Sequence, residues 1–122
     1  MTKTVFVVDD SDICLYMADE TLSKYYNVFT LPSAEGMFEL MEDVRPDLIL
    51  LDIEMPGTDG FAALKRLKSK EEDADIPVIF LSGRNDASTE ARCREMGATG
   101  YIAKPFSEPA LLECVNSAMQ RR

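Results

Sequence analysis

Asp47-Leu48-Ile49-Leu50-Leu51-Asp52-Ile53-Glu54-Met55-Pro56-Gly57-Thr58-Asp59-Gly60 is the stretch that decides the fold. Its apolar run, over Asp47–Leu51, reads as a central strand covered on both faces, because parallel sheets bury both sides of their inner strands. The run ends on the acid Asp52. Met55–Gly60 is turn chemistry, and a third helix follows with Phe61, Leu64 and Leu67 on one stripe.

Other short apolar runs end the same way. Val5–Val8 leads into Asp9-Asp10, Val78–Leu81 into Ser82, and Tyr101–Ala103 into Lys104-Pro105. Between the strands lie helical patterns with their own start signals. Ser11 or Asp12 caps a first helix that runs to about Lys24, with Ile13, Leu15, Ala18 and Leu22 among its apolar positions. Asn27–Leu31 is the second strand. Ser33 caps a helix carrying Met37, Phe38, Leu40, Met41 and Val44. Ser69–Asp75 is a polar, solvated connection before the strand Pro77–Leu81. Asp86 caps a fourth helix ending at Gly97, and Thr99–Ala103 is the fifth strand. Ser107 caps the last helix, with Pro109 in its first turn and Leu111, Leu112, Val115 and Met119 as its stripe.

Strand and helix alternate five times. That pattern predicts an α/β domain over 1–122, a flavodoxin-like three-layer sandwich with a five-stranded parallel sheet between helices. The order 2-1-3-4-5 sets strands one and three side by side at the switch point, where ligands bind at the carboxyl ends of strands. Asp9, Asp10, Asp52, Ser82 and Lys104 then gather at one edge. Three carboxylates together repel one another unless a cation joins them. Mg2+ suits such an oxygen site and keeps room for a phosphoryl oxygen. An Asp carboxylate can itself accept a phosphoryl group, with Lys104 as a compact counter-charge and Ser82 as a donor to phosphoryl oxygen. Each element alone is ordinary: a helix cap, a turn acid, a loop serine, a solvated lysine. Their shared place at the strand ends is what points to phosphoryl transfer.

Composition narrows the alternatives. The 122 residues carry 22 acids against 13 bases, a net charge of −9, which argues against nucleic acid and anionic membranes as partners. No run reaches the roughly 20 apolar residues of a membrane span, and the N-terminus lacks signal-peptide features, so a cytoplasmic location is expected. The three cysteines, Cys14, Cys93 and Cys114, have no C-x-x-C spacing and read as small buried hydrophobes; most of the seven methionines read as core. Histidine is absent, which excludes His-based metal sites and Ser-His or Cys-His nucleophiles.

Val-Val-Asp9-Asp10, Leu-Ile-Leu-Leu-Asp52-Ile-Glu-Met-Pro-Gly-Thr-Asp-Gly60, Ile-Phe-Leu-Ser82-Gly and Gly97-Ala-Thr-Gly-Tyr101-Ile-Ala-Lys104-Pro105-Phe together resemble the response-regulator receiver domains of two-component signalling, chemotaxis regulators included. The resemblance spans essentially the whole chain. It implies that Asp52 is the phosphoacceptor for a sensor histidine kinase or phosphotransfer protein. It implies that Asp10 and Asp52 ligate Mg2+ directly, Asp9 mainly through water, with the backbone carbonyl of Glu54 completing the site. Lys104 would bind the phosphoryl group, Ser82 would move toward it, and Tyr101 would swing inward, reshaping the face of helix four, strand five and helix five. The Lys104-Pro105 peptide resembles one that is cis in the family.

Glu54 and Arg84, two residues past Asp52 and Ser82, are expected to pair across the mouth of the site and to slow the water that attacks an aspartyl phosphate. The output is expected to be a downstream target or a fused effector domain, with the chain a monomer or a weak phosphorylation-linked dimer. The basic end Arg121-Arg122 is too short to be an effector, so the chain reads as a stand-alone receiver or the N-terminal part of a longer regulator. Three rival readings stand beside this one. A flavin protein of the same fold wants a phosphate-friendly first loop, which Asp9-Asp10-Ser11-Asp12 is not. A haloacid-dehalogenase-like phosphatase wants an Asp where Glu54 stands. A phosphorylation-independent receiver-like module would use the same fold for docking alone.

Overall fold

The computed structural model describes residues 2–120; Met1, Arg121 and Arg122, the last two forming the basic end noted above, lie outside the described residues. Strands β1 (Thr4–Val8), β2 (Asn27–Leu31), β3 (Leu48–Asp52), β4 (Val78–Ser82) and β5 (Gly100–Ala103) pair in parallel in the order β2-β1-β3-β4-β5. The helices are α1 (Asp12–Leu22), α2 (Ala34–Leu40), α3 (Gly60–Lys68), α4 (Ala87–Glu95) and α5 (Glu108–Gln120). The expected order and element types are both found.

Side chains alternate across the sheet with period two, so each central strand feeds two cores. Phe6, Val8, Ile49, Leu51, Val78 and Phe80 pack under α2, α3 and α4. Val5, Val7, Leu48, Leu50, Ile79 and Leu81 pack under α1 and α5. This double burial is why β3 and β4 read as unbroken apolar runs. β2, at the sheet edge, is mostly exposed. Four helix starts are capped as read: Ser11, Ser33 and Asp86 each accept a backbone N–H from the first turn, and Ser107 accepts one from Ala110; α3 gains a cap the sequence reading did not name, Asp59, which accepts from Ala62.

Several expectations change. β3 and β4 extend one residue further, so Asp52 and Ser82 are themselves paired in the sheet, opposite Leu81 and Ala103. Asp47 falls outside β3; its carboxylate accepts the Thr4 N–H at 2.8 Å and helps start β1. β5 starts at Gly100, after Thr99 donates to the Val78 carbonyl. α1 stops at Leu22, whose carbonyl receives the N–H groups of Tyr25 and Tyr26. Ile13 is not a core position: it is 74% exposed, on the outer side of α1 with Tyr16 and Met17. The 69–75 connection is not wholly solvated. Asp73 is buried and receives Arg45 at 2.6 Å, while Arg45 also donates to the Glu72 carbonyl. Cys14 and Cys93 are buried as expected, but Cys114 is only half-buried. Ala118 and Leu111 are buried on α5, whereas Leu112 and Met119 are only partly covered.

Candidate functional site

Two strands deliver three carboxylates to one point because β1 and β3 are neighbours and both run toward the same edge. Asp9 follows β1 directly and is fully buried; Asp52 ends β3 at 4% exposure; Asp10 stands outside them, exposed. Carboxylate oxygens of all three lie within 4.8 Å of one another. Asp9 is held on both oxygens: the Ser11 N–H donates to Oδ1 at 2.9 Å, and Lys104 Nζ reaches Oδ2 at 2.6 Å. The same ammonium lies 3.2 Å from Asp52 Oδ1. Lys104 is placed by the end of β5, where its N–H donates to the Ser82 carbonyl at 2.7 Å, and its peptide to Pro105 is cis.

The electrostatics are those of two acids sharing one cation. Burial pushes the Asp52 carboxyl up, and the Asp9 charge adds to this, to about 7 against an ordinary 3.8; Lys104 only partly opposes it. Asp9 goes the other way. Burial raises it, but hydrogen bonds from Cys14, Lys104 and the Ser11 N–H together outweigh that and hold it below its usual value. Burial alone would lower Lys104, yet Asp9 and Asp52 keep it above the ordinary lysine range. Of the two buried acids, Asp52 therefore holds a proton more readily than Asp9.

The oxygen-only set of Asp9, Asp10 and Asp52, with no imidazole or thiolate ligand, fits a hard divalent cation such as Mg2+. Ser82, 1% exposed, is turned to the next loop: its Oγ donates to the Arg84 carbonyl at 3.1 Å and accepts the Arg84 N–H at 3.0 Å. The half-buried Tyr101 hydroxyl donates to that same Arg84 carbonyl. Ser82 and Tyr101 thus share one acceptor.

A match to the response regulator receiver domain model covers residues 5–116. The chain belongs to that family. The heme response regulator HssR of Staphylococcus aureus is 35% identical over 121 residues, covering 99% of this chain and 53% of HssR. A probable cyclic di-GMP phosphodiesterase of Vibrio cholerae is 33% identical, covering 98% of this chain and 27% of that protein. The receiver chain thus spans about half or less of the length of these relatives. Among solved structures, a putative response regulator from Chloroflexus aurantiacus superposes with a TM-score of 0.93 at 29% identity, covering 99% of this chain and 100% of that one. The chemotaxis protein CheY4 of Vibrio cholerae gives 0.90 at 26% identity, covering 97% and 99%. Receiver domains are signalling modules that work with histidine kinases and effector domains in two-component systems, and the acidic pocket here corresponds to the family's Mg2+ pocket.

Of the five groups expected at this edge, Asp9, Asp10, Asp52 and Lys104 come together, while the Ser82 hydroxyl bonds the Arg84 backbone; one contact went unforeseen and one expected pair does not form. Cys14, read only as a core residue, touches Asp9, and its own thiol is pushed up to about 12 by burial and then by that carboxylate. The signal was faint: Cys14 N–H donates to the Ser11 cap at 3.3 Å, which sets its side chain under the first turn beside Asp9. The ion pair expected between Glu54 and Arg84 is not formed. Both side chains are exposed, and no contact within salt-bridge distance joins them among the described residues.

Proposed function

We propose that the 122-residue chain is a single receiver domain that accepts a phosphoryl group on Asp52 from the phosphohistidine of a sensor kinase or phosphotransfer protein. The observation that carries this reading is Asp52 itself, buried at the end of β3 with Lys104 at 3.2 Å and two further carboxylates at hand. In the transfer, an Asp52 oxygen attacks phosphorus in line and the donor imidazole nitrogen departs with the bonding electron pair. Lys104, now divided between Asp9 and Asp52, is placed to pair with a phosphoryl oxygen as the Asp52 charge is spent in the new bond. Asp10 and Asp52 would hold Mg2+ directly, Asp9 mainly through water, and the Glu54 backbone carbonyl from the following loop. A bound Mg2+ would neutralise phosphoryl charge during transfer.

Ser82 would leave the Arg84 carbonyl to donate to the phosphoryl group. Tyr101 would then swing inward, reshaping the face of α4, β5 and α5, where a target, a fused effector domain or a weakly bound second copy would dock. The donor is a protein rather than a small metabolite on this reading, because Ile13 and Tyr16, 74% and 66% exposed, lie with Met17 on α1, the helix that starts two residues after Asp10. Among the described residues no helix is long and apolar enough to cross a membrane, and we place the domain in the cytoplasm with its kinase donor.

The test is the intact mass after incubation with acetyl phosphate. Wild type should gain one phosphoryl group only with Mg2+, and Asp52→Ala should gain none. No adduct on wild type under any condition would assign the chain to a phosphorylation-independent docking module. Glu54 and Arg84, flanking the mouth as separate charges, would each impede the hydrolytic water. Glu54→Ala/Arg84→Ala should therefore lose its phosphoryl group several-fold faster than wild type; an unchanged or slower decay rejects the role.

A further inference from the structure

The loop from Ile53 to Asp59 carries the Glu54 carbonyl, and it is held unevenly. Its start is fixed: the Ile53 N–H donates to Leu81 at 3.1 Å, the Ile53 carbonyl accepts from Gly60 at 2.8 Å, and Ile53 and Met55 are buried. Its tip, Pro56–Thr58, stands away from the sheet, with Gly57 at φ 79 making the turn. Among the described residues, one side-chain hydrogen bond ties this tip to another element. Thr58 Oγ1 donates to Glu35 Oε2 in the first turn of α2. Glu35 Oε1 also lies against Gly57, 4.0 Å from where a Cβ would be. Hydrogen bonding from Thr58 is the main cause that lowers the Glu35 carboxyl, and the Arg66 charge adds to it. Arg66 is itself fixed, stacked 3.9 Å over the Phe38 ring. The exposed carboxylate is therefore ionised and anchored on a helix, and it reaches over to the loop rather than into solvent.

We propose that Glu35 and Thr58 are positioning residues for the cation site: their bond fixes the β3–α3 loop so that the Glu54 carbonyl stays in reach of a divalent ion. This deepens the reading above and rests on the Glu54 carbonyl being a ligand. Neither residue touches the ion or the phosphoryl group. The contact is exposed, so it adds little to global stability, but it restricts the loop where restriction matters. Groups that orient ligands commonly change metal affinity by about 10–100-fold; for a tie to a partly fixed loop, about three- to tenfold is expected.

The experiment is Mn2+ binding to the unphosphorylated protein, read as free Mn2+ by electron paramagnetic resonance, alongside melting in EDTA. Thr58→Val keeps shape but cannot donate, and Glu35→Ala removes the acceptor; both should weaken Mn2+ about three- to tenfold with melting nearly unchanged. Thr58→Ser and Glu35→Gln keep the bond and should stay within about twofold of wild type. Thr58→Val binding like wild type overturns the proposal. So does Glu35→Gln as weak as Glu35→Ala with Thr58→Val unaffected, since Glu35 would then act as a bare charge. A loss of affinity matched by a loss of melting temperature overturns it too, because the tie would be merely structural. Wild type that binds no Mn2+ is a different result, and it refutes the cation site itself.

Discussion

Asp52→Asn is expected to melt several degrees above wild type at pH 8 in EDTA, and to show little change in melting between pH 5.5 and 8, whereas wild type loses stability across that interval. The cause is the raised Asp52 carboxyl. In the unfolded chain it ionises near its ordinary 3.8, but in the fold only near 7. Between those values the native state holds a proton that the unfolded chain has released, so stability falls as pH rises through the window. By pH 8 the full cost is present. Asp9, lowered in the fold, contributes with the opposite sign: its stabilisation is present above the unfolded value and disappears only in acid, as pH falls through its folded value. It does not shape the pH 5.5–8 interval.

A shift of about three units corresponds at most to about 4 kcal/mol at 1.36 kcal/mol per unit. Water at the mouth and relaxation of Lys104 reduce this to on the order of 2 kcal/mol, or roughly 8 °C for a domain of this size. An amide at position 52 removes the penalty and leaves Lys104 its 2.6 Å contact with Asp9. Mg2+ supplies the missing charge in wild type, so its stabilising effect should be larger at pH 8 than at pH 5.5, where protons compete for Asp52, and nearly absent in Asp52→Asn. Thermal melts at the two pH values, with EDTA or Mg2+, check all of this. A wild type equally stable at both, or an Asp52→Asn that melts lower, would show that the acids at this site are not in repulsion.

The convergence of Asp9, Asp10, Asp52 and Lys104 was legible because each ends or follows a short apolar run, and the runs share one direction in the sheet. β1, β3 and β4 are buried on both faces, so their composition shows where they stop, and the first polar side chain at each stop must lie at the sheet edge. What was hidden depended on partners distant in sequence. Arg45 and Asp73 are both loop residues to the eye; only the fold brings them to 2.6 Å and makes Asp73 a buried acid. The Arg84 carbonyl shared by Ser82 and Tyr101 is a backbone group, and no residue type announces it. α1 misled for the opposite reason. Ile13 stands at helical spacing with Leu15, Ala18 and Leu22, yet α1 buries Cys14, Ala18, Thr21 and Leu22 and turns Ile13 outward beside Tyr16 and Met17. Periodicity finds a helix, but with apolar residues on two faces it does not say which face the sheet covers. Glu54 and Arg84 lie past the ends of adjacent strands, as the topology required, but long exposed side chains in water gain too little from pairing to be held together.

Gly60→Ala should be among the most damaging small substitutions in the chain, although it adds one methyl group at the start of a helix. A Cβ there would lie 2.3 Å from the Asp52 carbonyl oxygen and 2.8 Å from the Ile53 Cα, both backbone atoms of the phosphoacceptor strand and its exit. Neither can rotate away as a side-chain tip could. Relief requires α3 to lift from β3, which breaks the Gly60 N–H bond to the Ile53 carbonyl and drags the 53–59 loop with it. Overpacking of this kind costs about 3 kcal/mol or more when backbone must move, a loss of roughly 10 °C or outright unfolding. Whatever protein remains folded should bind Mn2+ weakly and take up little phosphoryl group, since Asp52 and Glu54 sit on the displaced segment. Gly83→Ala is the control: it follows Ser82 at the same edge, but nothing lies within 4 Å of its added Cβ. It should melt and bind as wild type does. Melting and Mn2+ titration of the two variants separate a close backbone approach from general intolerance of change near the site. A Gly60→Ala protein with wild-type melting would mean that α3 and the acceptor strand are not packed as tightly as the fold shows.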